Sequence, residues 1–117
     1  MLRSPASQGL PAVINGVAVM ATAIGSNIRT VTVSTSANVA DTTIIGNAVG
    51  GAITITLPPA ATNMGRIMGV KKSDASANTV TVKGNAAELI DGANTAILSA
   101  QFQYIFAQCD GVQWWII

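Results

Sequence analysis

In Ala52-Ile53-Thr54-Ile55-Thr56-Leu57, large aliphatic side chains fall at every second position, with Ala or Thr between them. Successive side chains of a strand point to opposite faces, so Ile53, Ile55 and Leu57 share one face and Thr54 and Thr56 the other. Ile and Thr are both β-branched and favour the pleated backbone. The same pattern recurs in Thr30-Val31-Thr32-Val33-Ser34 and in Thr79-Val80-Thr81-Val82-Lys83. It predicts a core built on Val31, Val33, Ile53, Ile55, Val80 and Val82. Further strands are expected over residues 42–45, 66–71, 102–108 and 112–117, with Phe102, Tyr104 and Phe106 on one face.

Between these runs lie Gly50-Gly51, Pro58-Pro59, Ser73-Asp74-Ala75-Ser76, Gly84-Asn85, Asp91-Gly92 and Asp110-Gly111. Turn signals at a spacing of about 8–12 residues point to an all-β domain, a small antiparallel sandwich or barrel. No segment has helical periodicity; residues 59–63 could make one short turn. No internal repeat is visible.

Residues 1–29 differ. They carry two charges, Arg3 and Arg29, and open on a stretch rich in Pro, Gly and Ser. Val13 to Ala23 then alternates loosely, with Val17 and Val19 on one side and Ala18 and Met20 on the other. This reads as an extended N-terminal arm with too little apolar bulk for a core of its own. Residues 30–117 form the compact β-domain. Leu2, Leu10, Val13, Ile14, Val17, Val19 and Met20 are the arm's candidate interface residues. Pro5, Pro11, Asn15 and Gly16 interrupt the apolar region an export signal would need, so export is not expected. No run of 18 apolar residues exists to span a bilayer as a helix.

Composition narrows the chemistry. Half of the 117 residues are apolar and 9% are charged, against about 25% charged in an average domain. The net charge of +1 offers no attraction to nucleic acid or an anionic membrane, and no partner of either kind is expected. So few charges keep a chain soluble most simply when its surface is buried against other subunits. With no His, Ser-His-Asp catalysis and His-ligated metals are excluded. Cys109, the one cysteine, reads as a small apolar filler in a strand. Neither enzymatic activity, nor a cofactor, nor a metal is expected.

An ordered set of residues adds to this. Gly51-Ala52-Ile53-Thr54-Ile55-Thr56-Leu57-Pro58 is followed by Gly65, by Val70-Lys71-Lys72-Ser73-Asp74 and by Ala77-Asn78-Thr79-Val80-Thr81-Val82. Ile90-Asp91-Gly92, Leu98-Ser99 and Asp110-Gly111-Val112-Gln113-Trp114-Trp115-Ile116-Ile117 complete it. The combination resembles a β-rich module of tailed-bacteriophage virion proteins, found in tail-fibre and spike subunits, head fibres and capsid decoration (cement) proteins. The resemblance covers residues 30–117. It implies a homotrimer on the virion surface, without catalytic residues. A chain consisting of this module and a short arm fits a cement protein made in the host cytoplasm and seated on the major capsid protein. A tail-fibre or tail-tip receptor-binding module is the alternative.

Four local patterns have a plainer reading beside the sharper one. Asp74-Ala75-Ser76-Ala77-Asn78 begins like a calcium loop, yet Thr79 stands where Gly is needed and Asn85 where a bidentate Glu belongs, so it reads as a turn. Glu88 and Asp91 are three apart like a glycosidase pair, but read as turn residues. Lys71-Lys72 and Lys83 read as protection of an edge strand rather than an oligonucleotide or capsid contact. Trp114 and Trp115, adjacent in a strand, must face opposite ways. One closes the core and the other faces solvent, a subunit, a partner or a sugar, and which does which is not readable from the sequence, so both are interface candidates.

Overall fold

The computed structural model describes residues 27–117. Nine strands run β1 (Asn27–Val31), β2 (Thr35–Ser36), β3 (Asp41–Gly46), β4 (Ile53–Thr56), β5 (Ile67–Lys72), β6 (Val80–Lys83), β7 (Thr95–Leu98), β8 (Tyr104–Cys109) and β9 (Trp114–Ile116). A 3-10 turn, Ala60–Thr62, follows Pro58-Pro59. The all-β expectation holds. The candidates Leu2, Leu10, Val13, Ile14, Val17, Val19 and Met20 lie outside the described residues. β1 includes residues 27–29, which the sequence reading assigned to the arm.

Two sheets form, one of five strands in the order β1-β3-β5-β8-β9 and one of four in the order β2-β4-β6-β7. Through β6 the chain visits the two sheets alternately, so each strand returns beside its predecessor in the same direction. The β1–β3, β3–β5, β2–β4 and β4–β6 pairs are accordingly parallel. The β6–β7, β5–β8 and β8–β9 pairs are antiparallel. This corrects the antiparallel expectation: the sheets are mixed, and the stretch from β1 to β6 winds like a short β-solenoid. Alternation tells which face of a strand is buried and is silent about the direction of its neighbour. Gly50-Gly51, one of the turn signals, is a corner where the chain changes sheets.

The winding also explains a missed repeat. Ile28 faces Thr43, and Thr43 faces Gly69, so successive turns consume unequal lengths of chain. A coil whose corners vary in length leaves no fixed period in the sequence.

Register brings the aliphatic positions together. Ile53 lies beside Val80 and Ile55 beside Val82 in the four-stranded sheet. They meet Val31, Ile44, Met68, Val70, Ala107, Cys109 and Trp114 from the five-stranded sheet in one core. At Gly46 the sheets approach so closely that a Cβ would stand 3.0 Å from Val80. Val33 is a correction: it is 68% exposed, because β1 ends at Val31 and the chain bends before entering the other sheet. Phe102 is another. Its φ of 68° places it in a turn ahead of β8, outside the strand expected to contain it. β7 went unpredicted, since Thr95-Ala96-Ile97-Leu98 has no clean alternation and lies at a sheet edge.

Candidate interaction surface

Strands in register present their partners on the same side. On the outer face of the five-stranded sheet one row therefore reads Thr30, Ile45, Lys71, Tyr104. The next reads Ile28, Thr43, Gly69, Phe106, and a third Ile67, Gln108, Trp115. Phe102, at the turn before β8, adds a further ring. Phe102 and Tyr104 are each 57% exposed, Phe106 44% and Trp115 45%. Single exposed apolar residues are ordinary, whereas a contiguous face of them marks an interaction site.

The face has internal order. Tyr104 and Phe106 meet edge to face, with ring centroids 5.7 Å apart. The Lys71 ammonium stands 5.3 Å from the Tyr104 ring centre and 5.7 Å from that of Phe102, within cation–π range. Gly69 has no side chain to fill the space beneath Phe106, and a shallow hollow forms among Thr43, Gly69, Lys71, Tyr104 and Phe106.

The two indoles divide as adjacent strand residues must. Trp114 is fully buried and belongs to the core, which removes it from the surface candidates. Trp115 faces outward, and its Nε1 donates to Asp110 Oδ2 at 2.8 Å. That contact, followed by the amides of Gln113 and Val112, holds the Asp110 carboxyl below its ordinary pKa.

Among the described residues the other charged groups are occupied within the fold. All five carboxylates accept hydrogen bonds. Asp41 receives the fork of Arg29, Nε to Oδ1 at 2.8 Å and Nη2 to Oδ2 at 2.9 Å. The Arg29 contact is the main reason that Asp41 titrates below its usual range. Glu88 accepts from the Ala60 amide at 3.0 Å, and Asp91 from the Ile116 amide at 2.9 Å. Each thus ties a loop to a neighbouring segment, as the turn reading expects.

Asp74 is the most heavily used. Its Oδ1 accepts the Ala48 amide at 2.7 Å, and its Oδ2 accepts Lys72 Nζ at 2.7 Å and the Ser76 amide and hydroxyl. The Lys72 ammonium, then the Ser76 hydroxyl, hold this carboxyl far below the normal carboxylate range. A lysine sits where a calcium loop would hold its ion. Among the described residues no group of three His, Cys, Asp or Glu side chains is placed to hold a metal.

The lysines correct a sequence expectation. Lys71 and Lys72 lie on β5, the middle strand of its sheet, and Lys83 on β6 between β4 and β7, so none guards an edge. Lys72 is fully buried on its ion pair, and Lys83 donates to the carbonyls of Gly84 and Ala86. Arg66 binds the Asn63 side chain and the carbonyls of Asn38, Val39 and Asp41. Among the described residues Lys71 alone of the charged side chains meets aromatic rings in place of a hydrogen-bonding oxygen. Sequence reasoning placed Tyr104 and Phe106 on one face but missed that Ile28, Ile45 and Ile67 join them, because that depends on which strands are neighbours.

No family model matches this chain, and no curated protein matches it. The geometry is that of an aromatic, nearly uncharged face, with no assembled acid–base pair among the described residues.

Proposed function

We propose that this protein is a structural component of a tailed-bacteriophage virion, a homotrimeric capsid decoration (cement) protein. Residues 1–29 tie it to the major capsid protein, and it acts on the capsid surface after synthesis in the host cytoplasm. It is not an enzyme, and neither nucleic acid nor membrane is its partner. The observation that carries this reading is the exposed aromatic face of the five-stranded sheet in a chain with 9% charged residues. Such a face favours a protein that works inside an assembly. The resemblance of residues 30–117 to virion modules supplies the kind of assembly.

Head attachment by apolar burial, at roughly 25 cal/mol per Å² removed from water, resists salt because few charges are present to be screened. Immunogold labelling of virions with antibody against this chain tests the reading, with label over the head as the expected result. Deleting residues 1–25 should leave a folded oligomer that no longer binds capsids. Normal decoration by the truncated protein, or loss of most binding when salt is added, would overturn the arm's role. Label confined to the tail would favour the second reading, a tail-fibre or tail-tip receptor-binding module. The exposed rings of Tyr104 and Trp115 are what favour that alternative, since such rings can stack on sugars.

A further inference from the structure

We infer that the outer face of the five-stranded sheet is where a second copy of this chain packs, with Tyr104 and Phe106 at its centre and Ile28, Ile45, Ile67 and Trp115 around them. This rests on the homo-oligomer part of the reading above and assigns it a surface. Charge argues for a copy over a foreign partner. Lys71 is the face's one cation, and its ammonium already lies against the Phe102 and Tyr104 rings of its own chain. A partner recognised by charge finds little left to read. What complements a neutral, apolar sheet face is another such face, and three copies arranged about a threefold axis bring these faces together.

Size agrees. Five strands at ~4.8 Å spacing and five or six residues at ~3.3 Å rise give a face of about 20 by 17 Å in projection. With its side chains included, the accessible area approaches the several hundred Å² of the largest patches on monomers. A standard interface takes ~800 Å² per partner, so this face supplies most of one half and its rims the rest. Placing two Lys71 side chains in one interface adds a repulsion, which gives the proposal a signature: salt should tighten association, and so should Lys71→Gln.

The test is sedimentation velocity on the full chain at ~1–200 μM, at low and high salt, with circular dichroism as the check on folding. The wild type should be oligomeric. Phe106→Glu should raise the dissociation constant at least ~100-fold, while Thr81→Glu, on the outer face of the other sheet, should leave it unchanged. Tyr104→Glu, at a more exposed position, decides the matter if Phe106→Glu does not fold. An oligomer unaffected by either folded variant would overturn this assignment and leave the homo-oligomer intact on another surface. A monomeric wild type would remove both, with virion labelling still the judge of the head or tail location. Association weakened tenfold or more by salt would overturn it in favour of an acidic partner surface.

Discussion

The Phe106 ring lies across Gly69 so closely that a Cβ at residue 69 would stand 2.5 Å from Cε1 of that ring. Gly69 is in the middle strand of its sheet and pairs with Phe106 in register, so the missing side chain is what lets the ring lie down. Gly69→Ala should therefore displace the ring. Because Phe106 is partly exposed and can swing outward, the stability cost should stay near 1 kcal/mol. A double-mutant cycle with Phe106→Ala checks this. The two changes should be strongly non-additive, since Gly69→Ala has no ring left to strike in the double variant.

Lys72 and Asp74 make a second prediction, on stability. Lys72 has no exposed side-chain surface, and its partner anchors the Ala48 amide and the Ser76 hydroxyl as well. Removing one member of such a pair leaves the other charge buried without compensation. Asp74→Asn and Lys72→Met should each lower Tm by roughly 10 °C or more, because a domain of this size moves several degrees per kcal/mol. The double variant should recover part of the loss. Thermal melts of the three variants decide it, and equal, additive losses would show that the pair acts only as separate packing elements.

The response to pH follows from the same carboxylates. Asp41, Asp74 and Asp110 all titrate below their ordinary values in the folded chain, each through its hydrogen-bond donors: Arg29, Lys72 with Ser76, and Trp115. A depressed folded pKa contributes stability that is full above the unfolded value, near 4, and is lost as pH falls toward the folded one. No His exists to titrate between pH 5 and 8. Tm should be flat within about 2 °C across that range and fall steeply below about pH 4. Melts in matched ionic strength check it, and the acid-side slope should be shallower in Asp74→Asn.

The sequence carried what is local to each strand. Alternation at Ile53–Thr56 and Val80–Lys83 identified the buried aliphatics correctly, because side-chain direction depends only on position along a strand. It failed where a corner interrupts the pattern, as at Val33, and where direction is set by a distant partner, as in the parallel pairs. The interaction face was half legible. Tyr104 and Phe106 were visible as a pair, whereas Ile28, Ile45 and Ile67 join them only through the order β1-β3-β5-β8. The burial of Lys72 had one signal, a carboxylate two residues away, and that spacing alone does not tell a buried pair from an exposed one.

Trp114 and Trp115 offer the sharpest separation of core from surface. Trp114 is fully buried between the sheets, and its Nε1 has no hydrogen-bond partner among the described residues. Trp114→Ala should cost about 3–5 kcal/mol through the cavity it opens. Trp114→Phe should be far milder, since removing the unpaired donor, whose burial costs ~1–3 kcal/mol, offsets much of the lost packing. Trp115→Phe removes one exposed hydrogen bond to Asp110 and should shift stability by less than about 1 kcal/mol. Emission spectra of the single-tryptophan proteins check the placement independently of stability. Trp115→Phe should retain a blue-shifted emission insensitive to added quencher, and Trp114→Phe a red-shifted one that is quenched readily in the monomer. Reversed spectra would mean that β9 presents its faces the other way round, moving Trp115 off the aromatic face.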